Sequence, residues 1–204
     1  MNNKGNRRSM WSLNLSTAAI ALIPAAIGIN YLGKLFAGLL RLPLWLDSIG
    51  TVLASILAGP VIGALAGIIN NVIFGLTADP ISTVYAVTSG AIGLVTGIMA
   101  YKGWVSSIKT AAITGLVVGL VAAVVSTPLN ILFWGGQTGN VWGDAFFAYL
   151  INNNVPLWLA SFGNSIIVDV PDKIATVLIS YFIFKALPNN FKNIFRGGHK
   201  IEEL

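Results

Sequence analysis

Six long apolar stretches, broken only at Gly, Pro and charge, leave this chain few ways to fold. An apolar run of about 20 residues is long enough to cross the hydrocarbon of a bilayer as a helix. The stretches fall at about 13–32, 44–57, 61–76, 83–101, 111–134 and 158–187. The third follows the second through Gly59-Pro60, which predicts a tight hairpin. The fold class expected is therefore all-α: a polytopic membrane protein, with residues 1–204 forming one six-helix transmembrane bundle. Composition agrees, with 55% hydrophobic and 9% charged residues, where soluble proteins carry roughly a quarter charged.

The connections are short except one. Residues 77–82 form a polar loop containing Asp79-Pro80, and 102–109 lead into the fifth span. A wide loop at 135–156, rich in Gly, Asn and Trp, carries an amphipathic piece near 142–151. Residues 1–8 are polar and basic, as in a signal peptide. The apolar run at 12–31 is longer than a signal-peptide core, so it is expected to stay as the first span.

Charge orients the bundle. With six spans, the side holding both chain ends carries Lys4, Arg7, Arg8, Lys102, Lys109, Lys185, Lys192, Arg196 and Lys200. The other side has only Lys34 and Arg41, while Lys173 lies within the last span. The positive-inside rule then places both termini in the cytoplasm of a bacterium, with the chain in its plasma membrane. The net charge of +5 follows from topology and lipid contact, and calls for no nucleic-acid partner.

Several chemistries are excluded. There is no cysteine, and the one histidine, His199, lies beyond the last span, so no metal site, cofactor or catalytic triad is expected. No G-x-x-x-x-G-K-[ST] loop is present to hydrolyse a nucleotide. No inverted repeat with matching Gly/Pro-broken helices is visible, which weakens a secondary-transporter reading. A binding protein without its own engine is expected, not an enzyme.

Small residues recur every fourth position at Gly59, Gly63 and Gly67, at Gly93 and Gly97, and at Gly115 and Gly119. Such spacing lets helix backbones approach closely inside a bundle. Ala18, Ala21, Ala25 and Gly28 form a smooth stripe on the first helix. A stripe of this kind either packs within the fold or docks another membrane protein.

The polar residues of the spans collect in the outer half. Candidates for a binding site are Asn70 and Asn71 on the third span, Tyr85 and Thr88 on the fourth, Asn130 and Trp134 on the fifth, and Asn164, Asp169, Asp172 and Lys173 on the sixth. Charges at membrane depth are costly and generally face a cavity. Asp169 precedes Lys173 by four residues, the favourable order for a helical ion pair. One acid neutralising Lys173 would leave the other, with Asn70, Asn71 and Asn130, unexplained; an outward polar pocket explains them together. Trp45, Trp134, Trp142 and Trp158 suit interfacial anchoring, and one or two of them suit covering a planar ligand.

These residues carry a resemblance. The chain resembles the substrate-binding S components of energy-coupling factor (ECF) vitamin transporters over nearly its whole length. The resemblance rests on six spans, on Ala21-x-x-x-Ala25, on Leu42-Pro-Leu-Trp-Leu-Asp47 with Gly59-Pro-Val-Ile-Gly63, and on Asp169-Val-Pro-Asp-Lys173. It implies an alanine stripe that docks a transmembrane coupling subunit driven by two ATPase subunits. It also implies a ligand held beneath the loops joining helices one to two and three to four, released inward by toppling of the whole subunit. Asn, Thr and Asp beside Trp and Tyr suit a small neutral or weakly cationic hydroxylated ring. Pyridoxine-type vitamins and the hydroxymethylpyrimidine precursor of thiamine lead, with pantothenate and riboflavin as alternatives. The other function class is a stand-alone membrane sensor or channel-like protein that works without ATPases.

Overall fold

The computed structural model describes residues 17–195. Residues 13–16 of the expected first span, Lys4, Arg7 and Arg8, and Arg196, His199 and Lys200 lie outside the described residues. Within them the chain is all helical, with no strand. The helices are α1 (Thr17–Leu39), α2 (Ile49–Ala58), α3 (Pro60–Thr77) and α4 (Ala86–Tyr101). They continue with α5 (Ile108–Trp134), α6 (Val141–Asn152), α7 (Leu157–Ala186) and α8 (Asn189–Phe195). A short 3-10 turn, Pro80–Thr83, joins α3 to α4.

Local signals set most of the boundaries. Gly59 sits at φ 92, a conformation glycine adopts freely. Pro60 then opens α3 at a position where its missing N–H removes no helical bond. Ser107 and Thr110 form a reciprocal capping box at the start of α5. The side chain of Asn140 accepts from the N–H groups of Trp142 and Gly143 and so starts α6, the amphipathic piece of the wide loop.

The second span departs from expectation. Its helix begins at Ile49, and residues 44–48 run as non-helical chain, with Leu46 at φ 50. Ser48 supplies no side-chain cap. Asn30 of α1 does so from across the bundle: its Oδ1 accepts from Gly50 N at 2.7 Å and Thr51 N at 3.2 Å. Its Nδ2 donates to Thr51 Oγ1 at 2.8 Å. The orphan N–H groups of a helix start are thus met by another helix. Every residue from Ile49 to Leu57 is buried, so α2 is a short central peg, about 15 Å long at 1.5 Å per residue.

Around that peg the other helices arrange in pairs. The longest shared contact is between α5 and α7, and the next between α3 and α4, while α2 touches α1, α3, α4 and α7. The apolar centre is formed by residues such as Leu53, Ile56, Ile92, Val118 and Val177. By length and composition, α1, α3 and α5 are long and apolar enough to cross a membrane. The 30 residues of α7 are also long enough to span, but they carry Asp169, Asp172 and Lys173.

Glycines permit the close approaches. A Cβ on Gly115 would lie 2.5 Å from Ile174 Cα, and one on Gly119 would lie 2.7 Å from Val170 Cα, so α5 and α7 touch backbone to backbone. Gly93 and Gly97 meet α3 at Ala64 and Pro60, Gly67 meets Ser89, and Gly63 meets Ser55. Gly59 is the exception in its series, a turn glycine with open space around it. The alanine stripe behaves differently again. Ala19, Leu22, Ala26 and Asn30 form the inward face of α1, Ala18 is half-buried, and Ala21, Ala25 and Gly28 lie exposed. Nothing lies within 4 Å of a Cβ built on Gly28. The fold does not use the outer part of the stripe for its own packing.

Candidate functional site

The polar residues of five elements converge on one cavity of about 100 Å³. The late parts of α3 and α5 contribute Asn71, Ser126 and Asn130, and the start of α4 contributes Tyr85, Thr88 and Ser89. From α7 come Asp169 and Lys173, and from the end of α1 comes Lys34. Two connections border it: the α1–α2 loop with Trp45 and Asp47, and the α3–α4 turn with Asp79 and Ser82.

Of the residues expected at a site, Asn71, Tyr85, Thr88, Asn130, Asp169 and Lys173 line this cavity, whereas Asn70, Trp134, Asn164 and Asp172 do not. Those four stand behind or beside it. Asn70 donates to Asn71 Oδ1 at 3.3 Å. Trp134 stacks on Tyr85 with ring centroids 5.5 Å apart and an interplanar angle of 19°. Asn164 donates to Asp144 Oδ1 at 3.0 Å, tying α7 to α6. Asp172 is fully buried beneath the α1–α2 loop.

Of the two acids that could neutralise Lys173, Asp169, at the i, i+4 spacing, is not the one that pairs with it. The lysine stem instead carries its ammonium to Asp172 Oδ2, to Asp47 Oδ1 at 3.0 Å and to Ser48 Oγ at 2.8 Å. Two carboxylates compensate a buried cation better than one, and Asp47 reaches it only because residues 44–48 are not helical. The other oxygen of Asp172 accepts from Trp45 N at 3.0 Å and Leu46 N at 2.9 Å. Asp172 therefore binds the loop as well as the lysine. Asp169 is left with Ser126 Oγ, which donates to it at 3.2 Å.

Hydrogen bonds fix the rest of the wall. Tyr85 Oη donates to Asn130 Oδ1, and Asn130 Nδ2 donates to Ser165 Oγ at 3.0 Å. Asn71 Nδ2 donates to Ser89 Oγ at 2.8 Å. Lys34 donates to Ser82 Oγ and lies 4.2 Å from the ring centroid of Phe74. Ser82 in turn donates to Asp79 Oδ2 at 3.0 Å. This chain closes the α3–α4 turn against the end of α1.

Lys34, Asp47, Asp79, Ser126 and Thr138 also line the cavity without having been expected as site residues, and so does Trp45, one of the four tryptophans suited to anchoring or to covering a ligand. For Lys34 a signal was present, since it is one of two cations on the sparsely charged side and needs a partner there. Trp45 and Lys34 also border a second, more open hollow of about 460 Å³, walled mainly by apolar residues between α1 and α6. Trp142 and Trp158 are exposed, at 61% and 56%. Trp45 and Trp134 are half-buried at the site.

Together these groups form a hydrogen-bonding pocket with aromatic faces, able to hold a small polar ring. Compared with models of protein families, with curated proteins and with solved structures, the chain matches none.

Proposed function

We propose that this chain is the substrate-capture S component of an ATP-driven ECF vitamin importer. It crosses a bacterial plasma membrane six times with both termini in the cytoplasm, and it takes up a small water-soluble vitamin or precursor from outside. Pyridoxine or hydroxymethylpyrimidine is favoured. The observation that carries this reading is the polar cavity at one end of an apolar bundle, bordered by the α1–α2 loop and the α3–α4 turn. The bare small-residue stripe on α1 supports it, because a smooth surface permits close helix docking without a hydrophobic drive. A transmembrane coupling subunit and two ATPase subunits are the partners this reading requires.

Calorimetry on the purified chain with pyridoxine, hydroxymethylpyrimidine, pantothenate and riboflavin tests capture, and co-purification with a coupling subunit and ATPases tests assembly. Binding without any such partner favours a stand-alone sensor, and absence of binding removes the capture function.

Topology has its own test, made simple by the lack of native cysteine. A cysteine at Lys102 is expected to react with a membrane-impermeant thiol reagent only from the cytoplasmic side. A cysteine at Asp79 is expected to react only from outside. Labelling of both from one side refutes six alternating spans.

A further inference from the structure

We infer that the solute held in this cavity is a cation, a small planar ring bearing a protonated amine, and that Asp169 is the carboxylate that pairs with that amine. The inference rests on the capture reading above and narrows its ligand.

Asp169 lies on the cavity wall at 9% exposure, and Ser126 is the one hydrogen-bond donor that reaches its side chain among the described residues. The wall's two ammonium groups are engaged elsewhere. Lys173 is held by Asp172 and Asp47, and Lys34 by Ser82 and the face of Phe74. Counting Asp172 behind the wall, four carboxylates meet two ammonium groups, and Asp169 is the most deeply buried acid without a cation of its own. A buried carboxylate is strongly penalised unless a counter-charge accompanies it. A cationic ligand supplies that charge.

A second observation is independent of charge. Thr88 Oγ1 is buried without a hydrogen-bond partner, and Thr88, 7% exposed, lines the same cavity. A buried hydroxyl left unpaired is costly, and a ligand polar group in the cavity satisfies it. Tyr85, backed by Trp134, and Trp45 add aromatic faces, which attract a cationic ring. A carboxylate ligand meets the opposite situation, since Asp169 and Asp79 repel it and Lys173 is already held by two carboxylates, which leaves Lys34 alone to draw it.

The test is a charge series on a constant ring, measured by calorimetry at neutral pH on the whole purified chain. Pyridoxamine, pyridoxine and pyridoxic acid carry an aminomethyl, a hydroxymethyl and a carboxylate group on one ring, and aminomethyl- and hydroxymethyl-pyrimidine repeat the first two. The amines are expected to bind about tenfold or more tighter than the alcohols, since a hydrogen bond to a charged group exceeds a neutral one by about a decade in affinity. The acid is expected not to bind. Asp169→Asn should bring amine and alcohol to within about twofold of each other, because the amine loses its advantage. Equal or tighter binding of an alcohol or the acid by the wild-type chain overturns the inference but leaves capture standing. An amine preference that survives in Asp169→Asn also overturns it. No binding of any of the five overturns the inference, and capture falls with it only if pantothenate and riboflavin fail to bind as well. The wild-type ranking decides even if Asp169→Asn fails to fold.

Discussion

Lys173→Met is expected to lower the stability of the protein by about 3–5 kcal/mol, the cost of removing one member of a buried charge network. The lysine side chain is 3% exposed and Asp172 is 0% exposed. Without the ammonium, Asp172 and Asp47 face the same space with no cation between them. The loss also reaches the backbone, because Asp172 holds Trp45 N and Leu46 N and so sets the path of the α1–α2 loop over the cavity. Asp172→Asn should be milder, since an amide oxygen still accepts from those N–H groups. The double variant Asp172→Asn with Lys173→Met should recover part of the single lysine loss, because fewer uncompensated charges remain buried. Thermal unfolding in detergent reads all three. A Lys173→Met protein as stable as wild type, or a double variant whose losses simply add, refutes the network. Asp172 lies off the cavity wall, so Asp172→Asn should change ligand affinity far less than Asp169→Asn.

The helices were legible where the sequence signal is local. The hairpin at Gly59-Pro60, the long apolar run of α5 and the amphipathic α6 follow from turn chemistry and periodicity, and their observed limits lie within a few residues of expectation. The start of α2 was not legible, because its cap comes from Asn30, 20 residues upstream on another helix. A single Asn inside an apolar run does not reveal its partner. The packing glycines were identified by their four-residue spacing, but spacing alone did not separate Gly59, a turn residue, from Gly63 beside it.

For the site, six of the ten residues singled out in the sequence line one cavity, but their directions were not legible. Asp169 and Asp172 lie three apart on α7, near one another on the helix surface. The structure separates their roles, one on the cavity wall and the other under a loop. That difference depends on where residues 44–48 run, which no helical periodicity encodes. The i, i+4 rule favoured Asp169 as the partner of Lys173. A tertiary carboxylate, Asp47, and a sequence neighbour, Asp172, took the lysine instead. Lys34 and Asp79 meet only because α1 and the α3–α4 turn end at the same level, bridged by Ser82.

Ala21→Trp and Ala25→Trp are each expected to abolish recovery of the chain with a coupling subunit while leaving fold and ligand binding intact. Both alanines are exposed on α1, the helix whose apolar window is 22% buried, so an indole there displaces nothing in the chain's own core. Against a partner helix the same indole holds the backbones apart, and in a membrane the contact has no hydrophobic drive to offset lost packing. Ala26→Trp provides the contrast. Ala26 is 2% exposed, and its carbonyl lies against Gly50. A tryptophan there should unfold the protein and remove ligand binding along with assembly. The diagnostic pattern is therefore a split: Ala21→Trp and Ala25→Trp lose the partner alone, and Ala26→Trp loses everything. Full recovery of the complex with both outward variants shows that this face of α1 meets lipid and no partner. The same loss of ligand binding in all three shows that the stripe supports the fold, contrary to its exposure.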